Sequence, residues 1–291
     1  MAESDTIGAL LAWARQALER AGVETATQES RWLVAHALGL EQHHLASQAE
    51  QSVADDRRAQ AEALVSRRSA REPLQYILGT QEFCGLEFRV TPAVLIPRPE
   101  TELLVQEALR VVDFNKEAVL IDVGTGSGCV AITLATILGQ ARVIGVDRSV
   151  EALAVARENA ERHGVADKVE WVESDLLSSL REHGLKGTVE VIVSNPPYIA
   201  ETDWMGLQPE VREFEPRSAL VGGPTGTEYH ERLLGESAEF LAPGGTLVME
   251  IGQGQLPAVR KSAEQTGRYE PLRVVKDEAG IDRVVILQRM D

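Results

Sequence analysis

From Ala118 onward, short β-branched runs alternate with segments of helical periodicity, which restricts this part of the chain to a parallel sheet flanked by helices. VLIDV (119–123), ARVIGVD (141–147), KVEWVESD (168–175) and VEVIVS (189–194) read as strands, too short for helices and rich in residues that suit a pleated sheet. CVAITLATILG (129–139) and VEALAVARENAERHG (150–164) read as the helices between them. A long irregular stretch runs from Ile199 to Gly226. Helix TEYHERLLGESAEFL (227–241) then leads through Pro243-Gly244-Gly245 into strand TLVMEIG (246–252). A helix near Leu256 to Thr266 and two strands, around Arg273–Val275 and Arg283–Leu287, complete the pattern. The closeness of the last two predicts an antiparallel pair, so the expected sheet has seven strands, mostly parallel.

The fourth strand ends abruptly in Asn195-Pro196-Pro197-Tyr198. Neither proline donates to a ladder, so the strand stops there, and each proline holds the residue before it extended. The result is a stiff turn at the C-terminal end of a central strand, where open α/β sheets place ligands. It offers a side-chain amide, free carbonyls and an aromatic face. Taken alone, the four residues can also be read as an ordinary loop stop with a packed tyrosine, since Asn and Pro are common turn residues.

A second motif changes that balance. Gly124-Thr125-Gly126-Ser127-Gly128 follows the first strand and opens a helix, so the backbone turns sharply and a ligand can approach it closely. Asp147 ends the next strand about 19 residues after Gly128, close to the spacing of about 20 at which an acidic side chain accepts hydrogen bonds from a ribose. The nicotinamide fingerprint Gly-x-Gly-x-x-Gly is not met, because the third glycine falls one position early and Cys129 stands in its place. A ligand with one ribose and no pyrophosphate fits better, and S-adenosylmethionine is such a ligand. Asp175 ends the third strand. Two readings stand for it: a partner for the adenine amino group, with Leu176 packing on the ring, or an N-cap of the next short helix.

Residues 1–80 carry only helical patterns. Ile7, Leu10, Leu11, Ala14 and Leu18 recur at helical spacing up to Gly22. Thr25-Ala26-Thr27-Gln28 resembles a capping box that opens a second helix ending at Gly39, and a charged third helix spans about Val53 to Ala70. The spacing predicts a small helical bundle without chemistry of its own; His43-His44 reads as a surface pair. QEFCGLEFRV (81–90) predicts a β-hairpin about Gly85. In Ile96-Pro97-Arg98-Pro99-Glu100-Thr101-Glu102 two prolines fix an extended segment, which serves either as an interdomain joint or as a pocket wall.

The charge balance, 29 − 45 = −16, opposes nucleic acid as a main partner. Two cysteines make neither a disulfide framework nor a metal set, and neither a membrane-spanning apolar run nor a basic-then-apolar leader is visible. A cytoplasmic protein with no metal is expected.

Together, Asp122 through Gly128, Asp147, Ser174-Asp175 and Asn195 through Tyr198 resemble the class I methyltransferases that methylate planar amino nitrogens. Arg71 through Gly79, Ile96 through Glu102, Ser194 through Ile199, Glu215-Pro216-Arg217, Ala219-Leu220 and Gly222-Gly223 narrow the likeness. Over nearly the whole chain it resembles the release factor glutamine methyltransferases, the PrmC or HemK family. It departs from some members at Leu176, where they carry an aromatic, and from many at Glu100, where they carry Asp.

The resemblance implies a Rossmann-like class I methyltransferase fold with three parts. Residues 1–80 form a helical substrate-recognition domain, 81–98 a hairpin and Pro-rich linker, and 99–291 the catalytic domain. It implies methyl transfer from S-adenosylmethionine to the glutamine amide of the Gly-Gly-Gln motif in class I peptide chain release factors. Gly124, Thr125, Gly126, Ser127, Gly128, Asp147, Asp175, Leu176 and Asn195 would hold the cofactor. Asn195, Pro196, Pro197 and Tyr198 would hold the glutamine, with Asn195, Pro196 and Tyr198 taking part in catalysis. The alternative is an adenine-N6 methyltransferase acting on nucleic acid, which shares Asn-Pro-Pro-Tyr.

Overall fold

The computed structural model describes residues 5–114 and 116–291. They fall into two compact units, one of residues up to Gly79 with Gln208–Phe214, the other of Thr80–Leu207 with Glu215–Asp291.

The first unit is helical. Helices α1 (Ile7–Arg20), α2 (Ala26–Leu38), α3 (His44–Ser47), α4 (Asp55–Ser69) and α5 (Leu74–Leu78) pack around Leu10, Leu18, Leu33, Leu45 and Val65, all about 1 % exposed or less. Thr6 caps α1, its hydroxyl accepting from the Ala9 N–H. The capping box expected at Thr25 is not formed. The Thr25 hydroxyl donates instead to the Glu29 carboxylate at 2.6 Å, and no side-chain bond caps α2. His43 and His44 are exposed, with their rings 3.9 Å apart. Helices α3 and α5 were not legible: each is about one turn long, too short to show a period.

The second unit opens with the expected hairpin, β1 (Thr80–Phe83) and β2 (Leu86–Arg89). Its turn residues Cys84 and Gly85 both have positive φ, 50° and 76°, the geometry that matches the twist of a two-residue hairpin. The Glu102 carboxylate accepts from the Cys84 N–H at 2.8 Å, holding that less suited residue in place.

Helix α6 (Glu102–Val111) leads into β3 (Val119–Val123), α7 (Cys129–Ile137), β4 (Arg142–Asp147), α8 (Val150–Arg162), β5 (Val169–Glu173) and β6 (Val189–Ser194). The segment after β6 is ordered rather than irregular. A short parallel pair, β7 (Ile199–Ala200) and β8 (Val221–Gly223), closes its base; α9 (Pro209–Phe214), between them in sequence, belongs to the first unit. The Gln255 amide reinforces that base, donating to the carbonyls of Tyr198 and Gly226 at 2.8 and 3.1 Å. Helix α10 (Glu228–Phe240), β9 (Leu241–Glu250), α11 (Leu256–Thr266), β10 (Arg273–Lys276) and β11 (Asp282–Gln288) finish the chain.

The sheet has seven strands in the order β10-β11-β9-β6-β3-β4-β5. β9, β6, β3, β4 and β5 run parallel, and β11 runs antiparallel to both of its neighbours, β9 and β10. β9 starts earlier than expected. Leu241 already pairs with Val189, and Pro243-Gly244-Gly245 forms a bulge within the strand rather than a connection before it. Alternate residues face opposite layers. Leu120, Val143, Val191 and Val248 pack beneath α6 and α7, while Ile121, Ile144, Ile192 and Leu247 pack beneath α10 and α11. Each such side chain contributes roughly 1.5–3 kcal/mol by leaving water. Chain winding reverses between β3 and β6, which opens a crevice at their C-terminal ends.

Candidate active site

A cleft of about 770 Å³ occupies that crevice. Its floor is the loop after β3. Gly124 and Gly126 have φ of 74° and 55°, and the Gly124 and Thr125 N–H groups both donate to the Val146 carbonyl, folding the loop back over β4. A Cβ at Gly126 would meet nothing within 4 Å, so the backbone there is open to a ligand. Gly128 is placed otherwise. Its Cβ would lie 2.9–3.1 Å from Ile132, Trp171 and Ala156, so it serves close packing at the start of α7 and does not line the cleft. Thr125 and Ser127 are buried as well. The Thr125 hydroxyl donates to Asp122 at 2.6 Å. Burial pushes the Asp122 carboxyl up to about 7, against the pull of that hydrogen bond and one from the Ala131 N–H.

Asp147 stands at the end of β4 on the cleft wall. Its carboxylate accepts from the Gly126 N–H and the Ser149 N–H, both at 2.9 Å. One contact on each oxygen fixes the group and leaves a lone pair on each for the cleft. Asp175 also lines the cleft, but both its oxygens are paired with the Arg232 guanidinium of α10 at 3.1 and 3.0 Å. It caps no helix; Ser174 instead accepts from the Ser179 N–H. Leu176 presents an apolar wall from a left-handed backbone, φ 51°. With Val123 and Ala152 it makes one side of the cleft apolar, while Asp147 supplies acceptors on the polar side. A single-ribose nucleoside with a flat base fits that division.

Asn195 and Pro196 stand where this cleft meets a smaller recess of about 300 Å³, walled by Leu95, Ile199 and Leu220. No described residue donates to the Pro196 carbonyl. Pro197 lines the large cleft, and its carbonyl is so close to Gly222 that any side chain there would collide with it at 2.4 Å. Tyr198 lines the recess and directs its hydroxyl to Glu250 at 3.2 Å. Burial and the Glu250 carboxylate together push the Tyr198 phenol up, so it stays protonated.

The Asn-Pro-Pro-Tyr turn is held by residues of the 96–102 and 215–217 motifs and by two residues outside every motif, Glu250 and His230. The Asn195 amide donates to the Thr101 hydroxyl at 3.0 Å, and Thr101 donates to Glu250 at 2.7 Å. Thr101 and Glu250 are 4 % and 1 % exposed. His230 is buried, with Nε2 2.9 Å from the Glu250 carbonyl. Burial lowers its pKa, which keeps the ring neutral with its proton on Nε2. Glu215 accepts from Arg98 and, at 3.1 Å, from the Ile96 N–H. The segment 96–102 is thus a pocket wall rather than a mere joint, with Pro97, Arg98 and Thr101 lining the space beside Asn195. Among the described residues no group of His, Cys, Asp and Glu is arranged for a metal, and no helix is long and apolar enough to cross a membrane.

Family models match both parts of the chain: one described as the PrmC N-terminal domain over residues 9–79, and one as the methyltransferase small domain over residues 99–207. A protein of Geobacter sulfurreducens named release factor glutamine methyltransferase is 46 % identical over 280 residues, covering 96 % of this chain and 95 % of the relative. A protein of the same name from Nitratidesulfovibrio vulgaris is 40 % identical, covering 98 % and 95 %. Among solved structures, a methyltransferase from Pyrococcus furiosus superposes with a TM-score of 0.52 at 19 % identity, covering 80 % of this chain and 98 % of that one. A human methyltransferase 10 domain containing protein gives 0.53 at 16 %, covering 71 % and 90 %. At such identities these two establish the fold alone.

Proposed function

The chain belongs to the release factor glutamine methyltransferase family, and from that premise we propose that it methylates the side-chain amide nitrogen of the Gly-Gly-Gln glutamine in class I peptide chain release factors, using S-adenosylmethionine, in the cytoplasm. The observation that carries this reading is the position of Asn195 and Pro196, two acceptors for N–H groups, at the junction of a nucleoside-sized cleft and a narrow apolar recess.

Asp147 would bind the ribose through its two free lone pairs, and Leu176 would cover the adenine. Asp175, held by Arg232, would keep an acceptor at the base edge. Gly124 and Gly126 would lie against the methionine end. Gly128 acts behind them by seating α7, and Thr125 acts through Asp122. S-adenosylmethionine supplies a methyl group already activated by its positively charged sulfur.

A glutamine amide nitrogen is a poor nucleophile because its lone pair is delocalised into the carbonyl. Its two N–H groups would donate to Asn195 Oδ1 and to the Pro196 carbonyl, which turns the nitrogen towards the cleft. Pro197 keeps that turn rigid, and the Tyr198 ring packs against the amide plane. Fixing a reacting pair in this way is worth up to roughly 7–11 kcal/mol of barrier in model systems. No side-chain base is required, since the nitrogen becomes acidic as the methyl arrives and passes its proton to water.

The direct test is the mass of a purified release factor before and after incubation with the protein and S-adenosylmethionine. One methyl group on the Gly-Gly-Gln glutamine is expected; an unmodified factor, or a methyl elsewhere, refutes the reading. The helical first unit is assigned to recognition of the folded partner. A short Gly-Gly-Gln peptide is therefore expected to show a far higher KM than the whole factor, and equal values would remove that role.

Asp147→Ala is expected to weaken S-adenosylmethionine binding by about 1–3 kcal/mol, the range for hydrogen bonds to a charged group. Calorimetry that finds an unchanged affinity would overturn the assignment of Asp147.

A further inference from the structure

Resting on the substrate reading of Asn195 above, we propose that Thr101 and Glu250 form a positioning relay that sets which end of the Asn195 amide faces the substrate. An asparagine side chain has two nearly isosteric ends with opposite hydrogen-bonding character. Only the oxygen end receives an N–H of the target. The amide end presented to that target would set donor against donor.

The polarity of the relay begins at Glu250. Both of its oxygens receive hydroxyl protons, Oε1 from Tyr198 at 3.2 Å and Oε2 from Thr101 at 2.7 Å. An ionised carboxylate is acceptor-only, so it takes the single proton of the Thr101 hydroxyl. Thr101 Oγ1 then has only lone pairs left for its neighbour, and the group it meets at 3.0 Å is Asn195 Nδ2. A reversed amide would place Oδ1 against an oxygen that has no proton to give. With Nδ2 held by Thr101, Oδ1 is the end left for the substrate. The relay has this polarity in the carboxylate form of Glu250: burial raises that group's pKa and Glu100 adds to the rise, while the hydrogen bonds from Thr101 and Tyr198 and the charge of Arg283 oppose it. Arg283 is itself paired with Asp277 at 3.0 Å, and the neutral His230 engages only the Glu250 carbonyl. Thr101 and Glu250 are positioning residues: both are buried and neither lines the recess, Thr101 reaching only the small space beside Asn195.

The sequence is consistent with such a device. The hydroxyl comes from the proline-bounded 96–102 segment and the carboxylate from the end of β9, so both lie on elements other than the Asn-Pro-Pro-Tyr turn itself.

Thr101→Val keeps the shape of the side chain and removes its hydroxyl. In the intact protein with saturating release factor and S-adenosylmethionine, it is expected to lower single-turnover methyl transfer about 10–100-fold, the scale of a small misplacement of reacting groups. kcat and kcat/KM should fall together, as for an interaction made in the transition state, while cofactor affinity measured by calorimetry stays within about 3-fold. Thr101→Ser restores the hydroxyl and is expected to recover most of the rate. A spectroscopic readout needs no turnover. The Asn195 side-chain amide signal, assigned by its loss in Asn195→Ala, should show one proton protected from solvent exchange in the wild type and none in Thr101→Val.

The relay is overturned if Thr101→Val methylates at the wild-type rate while Asn195→Ala does not. It is equally overturned if Thr101→Ser is as slow as Thr101→Val, or if both wild-type amide protons exchange as freely as those of an exposed asparagine. A normal rate in Asn195→Ala would instead overturn the reading of the pocket on which the relay rests.

Discussion

Asn195→Ala is expected to slow methylation of the release factor about 10²–10³-fold, the usual cost of removing one group aimed at the reacting centre, while cofactor affinity stays within a few-fold. The reason lies in what surrounds the side chain. Asn195 is held at the end of β6 by two prolines on one side and by Thr101 on the other, and it faces both the large cleft and the recess. Truncation therefore leaves the cleft's polar wall at Asp147 intact and removes an acceptor for the target amide.

The same geometry predicts discrimination by length. A release factor whose Gly-Gly-Gln glutamine is replaced by asparagine places its amide about one C–C bond short of the two acceptors. Near-attack geometry tolerates little misplacement, so this factor is expected to be a very poor substrate even at saturating concentration. Single-turnover methyl transfer measures both effects. Near-normal turnover by Asn195→Ala, or equal rates on glutamine and asparagine factors, would show that the recess does not position the substrate as argued.

The parts of this site that were legible in the sequence are those set by local chemistry. Glycines after a strand, an acid ending the next strand and a proline pair ending a central one each state their position through backbone constraints, and they converge on one crevice. Glu250 carried a comparable signal, since it is an acid that ends the apolar run TLVM, as Asp147 ends VIGV. Its partner Thr101 lies 149 residues away, and such a pairing has no trace in local sequence. The bulge at Pro243-Gly244-Gly245 was read as a connection because proline and glycine interrupt a strand pattern, yet the ladder between Leu241 and Val189 resumes pairing ahead of it. Thr25 failed as a cap for a tertiary reason. The Glu29 carboxylate turns inward and draws the threonine hydroxyl as a donor, which leaves no oxygen oriented towards the helix N–H groups.

That inward turn of Glu29 points to the second large effect, on stability rather than turnover. Arg68 is 6 % exposed within the helical unit, where its guanidinium meets Glu29 of α2 at 2.5 Å, Glu210 of α9 at 3.0 Å and the Glu72 carbonyl at 3.3 Å. Arg68→Ala leaves the buried Glu29 carboxylate with no cation, while the partly buried Glu210 keeps Arg71 at 2.7 Å. Breaking a buried pair in this way costs about 3–5 kcal/mol. Arg67 is the contrast on the same helix. Its bond to Glu72 is short, but the guanidinium is 44 % exposed, so Arg67→Ala is expected to cost only about 0–1 kcal/mol. Hydrogen exchange of the α2 and α4 amides reports the free energy of this unit separately from that of the sheet. Burial alone would raise the Glu210 carboxyl, but hydrogen bonds from Arg71 and Arg68 outweigh it and hold the group below its ordinary value. A carboxyl lowered on folding adds stability above its unfolded pKa, and that stability is lost as pH falls through the folded value. The acid sensitivity of the unit should therefore shrink in Arg68→Ala along with its stability. If the double variant Arg68→Met/Glu29→Leu regains most of the loss, the penalty is that of stranded charge; if Arg68→Ala behaves like Arg67→Ala, the buried cluster does not hold the bundle together.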